Sequence, residues 1–266
     1  MLLRYKERSE LGNVRRYERS GRRQFFSTRN KAMIIGRNWG VFVRGTLFSA
    51  TLLGAALFSS PAWAQATTRP CGADEVVGPA CLLSRQEIAS LPTGQIYWHL
   101  DQFSSKDAAE RAATASSSVV GAFGKIWLFT IERRTWRAKG GRHVSKIGPL
   151  PVLPAPTYAA EYLRSVFAPG MMAPLHVHSG PEAFYAVSGD TCLETPDGVQ
   201  RGRGPGNSLV IRGGPPMLLM ATGKEPRRGF ALILHDASQP PTTLIHDWHP
   251  QGLCERGRAA DRSRRD

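Results

Sequence analysis

The stretch Gly170-Met-Met-Ala-Pro-Leu-His176-Val-His178-Ser-Gly-Pro-Glu182-Ala-Phe-Tyr-Ala-Val-Ser-Gly189 decides how this chain is read. In an extended strand, side chains two apart share a face, so His176 and His178 project together. Ser179-Gly180-Pro181 reads as a turn, and the strand it starts sends Glu182 back toward the same point. Two imidazoles and one carboxylate converging in this way suit a divalent metal: Fe, Mn, Ni or Zn, with Cu less well matched. No catalytic residue beyond these three ligands is identified, and no organic-cofactor motif is present.

Outward from this stretch, the texture is one of short strands. Strands are expected at Thr157–Phe167, Pro174–His178, Glu182–Val187, Thr191–Thr195, Ser208–Ile211, Met217–Ala221 and Phe230–His235, separated by clusters of turn formers. Such regular short strands without a long helix mean a sandwich or a closed barrel. Upstream, Ile96–Phe103 and Lys125–Ile131 read as strands and Lys106–Ser116 as a helix, together a small extension. Ser84, with Glu87 three residues on, has the pattern of a capped helix over Ser84–Ser90.

The fixed positions Gly170, His176, His178, Glu182 and Gly189 match the spacing of the first cupin motif, Gly-x5-His-x-His-x3–4-Glu-x6-Gly. Over roughly residues 144–250 the chain resembles the cupin superfamily. The resemblance implies a mainly β fold, a cupin-type jelly-roll β-barrel, here with a small α+β N-terminal extension. It also implies interior metal ligands and a candidate homodimer. The second motif, Gly-x5-Pro-x-Gly-x2-His-x3-Asn, is degraded: Gly206 and Gly214 align, but Arg212, Met217 and Ala221 stand for its Pro, His and Asn. Met217 is a candidate fourth ligand position, although a methionine facing a barrel interior more often fills space. His235 reads as a rim histidine, and His99, His143, His246 and His249 as surface or packing residues. Arg227-Arg228 reads as a solvated hairpin tip.

The composition narrows the function classes. The net charge is +14, but residues 1–64 hold 12 Lys or Arg against 3 Asp or Glu, and the rest of the chain 23 against 18. Most of the basic excess therefore lies in a leader-like segment, which argues against a nucleic-acid partner. In that segment the apolar run Gly45–Phe58 precedes Ala62-Trp63-Ala64, the pattern of a secretory signal cleaved before Gln65. The expected organisation is 1–64 leader, with a start at Met33 as an alternative, then 65–143 extension, 144–250 barrel and 251–266 disordered tail. The mature protein would be periplasmic or secreted and free of the membrane. All four cysteines follow the cleavage point, as suits disulfides; Cys71–Cys81 is the preferred first pair, which leaves Cys192–Cys254.

Two readings of function follow. One is a metal-dependent enzyme of dioxygenase-like type acting on a small organic molecule, since three protein ligands leave coordination positions open. The other is a non-catalytic module that binds a small ligand or a metal.

Overall fold

The computed structural model describes residues 68–263. The expected leader and its cleavage point lie outside the described residues. Among the described residues, no helix is long and apolar enough to cross a membrane.

The barrel is built on an antiparallel five-stranded sheet in the order β1 (Gly78–Ile88), β6 (Tyr158–Phe167), β13 (Arg227–Asp236), β8 (Glu182–Ser188) and β11 (Ser208–Ile211). Facing it are β10 (Gly198–Gly202), β9 (Thr191–Thr195) and β12 (Leu218–Ala221), hydrogen-bonded in that order. Two single bridges, Met172 with Met220 and His176 with Met217, carry this second layer on to β7 (His176–His178) and β14 (Thr242–Leu244). Alternate residues of both layers meet inside. Leu163, Phe167, Phe184 and Ile233 from one layer pack with Leu193, Met217 and Leu219 from the other. This is the jelly-roll barrel expected from the strand pattern, and the fold is mainly β.

The extension comprises β2 (Ile96–Phe103), α1 (Lys106–Ala112), β3 (Ser117–Ala122), β4 (Lys125–Arg133) and β5 (Arg142–Ile147), its sheet running β3-β4-β2-β5. It covers the outer face of the five-stranded sheet. Trp127 and Phe129 each stand 5.0 Å, centroid to centroid, from Phe230, and Phe129 stands 5.1 Å from Tyr162. With both faces covered, β6 and β13 are buried almost throughout rather than on alternate residues. Buried aromatic area of this kind contributes roughly 25 cal/mol per Å2 removed from water.

Three expectations are corrected. Ser84–Ser90 is not a helix: it falls largely within β1, because eight residues of that strand find partners on β6 and this nonlocal ladder outweighs a local capping signal. The boundary near 144 also moves. β1 belongs to the barrel sheet, whereas β5 pairs with β2 in the extension, so the extension spans 96–147. Finally, the described part of the expected tail 251–266 is ordered, for α2 (Leu253–Ser263) is helical. The helix is too polar on average to be announced by an apolar run. It is anchored by the Cys192–Cys254 disulfide and by the buried Glu194 carboxylate, which accepts from the Cys254 amide at 3.2 Å. Cys71 and Cys81 form the other disulfide, and among the described residues no cysteine is free.

Candidate metal centre

The turn between β7 and β8 fixes the direction of Glu182. A Cβ on Gly180 would lie 2.1 Å from the Leu234 carbonyl, so only glycine lets the turn pass this close beneath β13. The Leu234 amide then donates to the Pro181 carbonyl at 3.0 Å, which sets the register of the following strand. On β7, Thr242 and Leu244 of β14 stand opposite His178 and His176.

Backbone carbonyls fix both imidazoles. His176 donates from Nδ1 to the Pro174 carbonyl at 2.6 Å, and His178 from Nδ1 to the Pro241 carbonyl at 2.9 Å. A carbonyl only accepts, so each neutral ring carries its proton on Nδ1 and turns a bare Nε2 inward. The two Nε2 atoms are 3.0 Å apart, and His178 Nε2 is 2.9 Å from Glu182 Oε2. Two lone pairs facing each other at that distance repel unless a cation lies between them. Glu182 Oε2, also buried, has no hydrogen-bond partner. The ligand atoms of His176, His178 and Glu182 all fall within 4.8 Å of one another, and this donor set fits a divalent ion.

The electrostatics of the two rings differ. Burial, then the neighbouring His178, hold the His176 pKa below the ordinary imidazole value. Burial also opposes charge on His178, but the charge of Glu182, whose Oε2 lies 2.9 Å from its Nε2, outweighs that, and the pKa lies above the ordinary value.

The group opens onto a cavity of about 380 Å3 with mostly apolar walls, among them Leu163, Phe167, Phe184, Leu219 and Ala231. Thr68 and Arg69 lie on its wall, next to the disulfide-stapled segment ahead of β1. Met217 lines the same cavity at 1% exposure.

Several residues lie elsewhere than the sequence suggested. His235 is buried rather than at the rim, its Nδ1 bonded to the Asp236 carbonyl at 2.8 Å and its Nε2 3.9 Å from Glu161. It is not part of the His-His-Glu group. His99 and His143 are packing residues, as expected: His99 is wholly buried in the extension, and His143 beside it pairs with the buried Asp101 at 3.0 Å. Arg227 is not a hairpin tip but fully buried within the barrel, while Arg228 stays on the outer surface and pairs with Glu75. A bulge between Arg228 and Gly229 separates the two environments. No regular alternation in the sequence signals that bulge.

Strand order and motif residues together define a cupin-type barrel with a convergent His-His-Glu group. No family model matches the chain, and no curated protein matches it. Among solved structures, it is similar to a double-stranded β-helix protein of Klebsiella pneumoniae at 18% identity, covering 34% of this chain and 76% of that one, with a TM-score of 0.28. A cupin domain from Bordetella pertussis is 20% identical over 27% of this chain and 78% of that chain, with a TM-score of 0.24. Salicylate 1,2-dioxygenase from Pseudoaminobacter salicylatoxidans is 16% identical over 28% of this chain and 19% of that chain, with a TM-score of 0.24.

Proposed function

We propose that the protein is an exported cupin, periplasmic or secreted, that holds one divalent metal through His176, His178 and Glu182 and acts on a small organic molecule. The observation that carries this reading is the pair of inward Nε2 atoms 3.0 Å apart, each opposite a ring nitrogen committed to a carbonyl. Tautomers locked by such outer contacts present ligating lone pairs without further rearrangement. The bound metal would supply Lewis acidity and, for Fe or Mn, redox chemistry with a dioxygenase-like oxidoreductase as the reaction class. The chain's own residues supply the rest: the imidazoles offer their Nε2 atoms, Glu182 contributes the negative charge, and the apolar walls exclude water from a ligand. Two disulfides suit an oxidising compartment.

The test is metal analysis of protein recovered from the exported fraction, together with its N-terminal sequence. A start at Gln65 and near-stoichiometric Fe, Mn, Ni or Zn are expected. An intact leader would overturn the compartment, and metal-free protein that also fails to take up added metal would overturn the centre. The second reading, a non-catalytic ligand-binding module, is favoured by the size and apolarity of the cavity. It is separated from the first by whether the metal-loaded protein turns over any bound ligand.

A further inference from the structure

Arg227 is the largest charge in the barrel interior without an ionic partner. It is 0% exposed. Its Nε donates to Thr191 Oγ1 at 2.8 Å and its Nη1 to Ser165 Oγ at 3.0 Å, while buried Nη2 has no partner. Its guanidinium lies 5.9 Å from the Phe184 ring. Among the described residues, no carboxylate reaches it at ion-pair distance. Burial pulls its pKa down to about 10, with the field of Glu182 opposing, so it remains a cation at neutral pH. A buried cation met only by neutral hydroxyls is costly, and an anion nearby would offset that cost.

The register places this cation relative to the candidate metal centre. Glu182 stands opposite Ile233, and Ile233 opposite Glu161. Ser165 is four residues beyond Glu161 on the same face of β6, about 13 Å along the strand at 3.3 Å per residue. The row between them is Leu163, Ala231 and Phe184, all apolar and all lining the cavity. Ser165 lines the cavity too, with Arg227 directly behind it. Because Ser165 Oγ accepts from Arg227, its own hydroxyl proton is free to donate. At the cavity wall Arg69 adds a second cation, and among the described residues Glu182 is the one carboxylate there. Its charge would be taken up by a bound metal, which leaves the loaded cavity positive.

We propose that the cavity takes an organic carboxylate with an apolar body. The carboxylate would be held at the Ser165–Arg227 end, and the far end of the molecule directed at His176, His178 and Glu182. This names a substrate class for the centre proposed above and rests on that reading for its reacting end, but not for its anion-binding end.

The experiment compares octanoate with octanol, a neutral probe of equal length, by calorimetry on the mature protein and on its His178→Ala variant. Octanoate should bind at least about tenfold more tightly in both, since a charge-assisted contact in a buried site is worth that much. Ser165→Ala and Arg227→Met should each remove most of the preference while leaving octanol affinity within about twofold. Should Arg227→Met fail to fold, Ser165→Ala, which deletes a single oxygen, decides. Equal affinities in the wild type would overturn the proposal. So would a preference that vanishes in His178→Ala, which would place the carboxylate on the metal instead. If the wild type itself takes up no added metal yet keeps the preference, the anion site stands and the metal centre alone is refuted.

Discussion

His176 and Met217 are cross-strand partners: the Met217 amide donates to the His176 carbonyl at 3.0 Å, and both side chains line the cavity. Opposed residues of an antiparallel pair put their side chains on one face. The thioether of Met217 therefore shares a face of the cavity with the His176 ring.

Replacing Met217 with His should add a nitrogen donor at little cost in volume. Zn or Ni affinity should rise at least about tenfold, or roughly 1.4 kcal/mol. A native Cu(I) site should instead weaken, since a thioether suits that soft ion better. Competition titrations against a chelator of known affinity measure either effect, and unchanged affinity for both would show that the side chain at this position does not reach the ion.

His99 makes stability pH-dependent from the far side of the molecule. Burial, only partly opposed by its bond to the Arg133 carbonyl, lowers its pKa from 6.5 to about 4. The unfolded chain then binds a proton at a higher pH than the folded chain does. The contribution is complete above pH 6.5 and is lost as pH falls from 6.5 toward 4. Burial raises the Asp101 pKa, which acts in the opposite sense, so the informative quantity is the difference between wild type and His99→Gln. Between pH 7.5 and 4.5 the wild-type Tm should fall by roughly 3–6 °C more than that of the variant. Parallel curves would remove His99 from the account.

The Cys192–Cys254 bridge closes a segment with a sequence separation of 62. A loop of that length is worth about 4 kcal/mol in the unfolded-chain model. The Cys192→Ala/Cys254→Ala double variant should lower the urea midpoint accordingly, and limited proteolysis should cut first around α2, which buries little but Cys254. An unchanged midpoint would mean that the helix contributes nothing to the barrel.

Much of the site was legible in the sequence because strand periodicity is strict. Once His176 and His178 fall two apart on a strand and a Ser-Gly-Pro turn precedes Glu182, their convergence follows. The remainder depended on partners distant in sequence. The end of β1 carries a helix-capping pattern, but its pairing with β6 is set 70 or more residues away. Arg227 sits in Glu225-Pro-Arg-Arg-Gly229, which reads as a solvated turn. Only the bulge after Arg228 and the hydroxyls of Ser165 and Thr191 draw it inside. α2 is strongly polar on average, and its place on the barrel is fixed by a disulfide whose pairing could only be preferred, not deduced.

The central claim is that His176, His178 and Glu182 together hold one ion. Titrating Mn(II) or Zn(II) into chelator-stripped mature protein, beside His178→Ala and Glu182→Gln, tests it most directly. We predict one site per chain in the wild type and a loss of at least about 100-fold in affinity in each variant, as expected when one of three ligands is removed. Wild-type stoichiometry and affinity retained in His178→Ala would contradict the account, because the ion would then be held elsewhere.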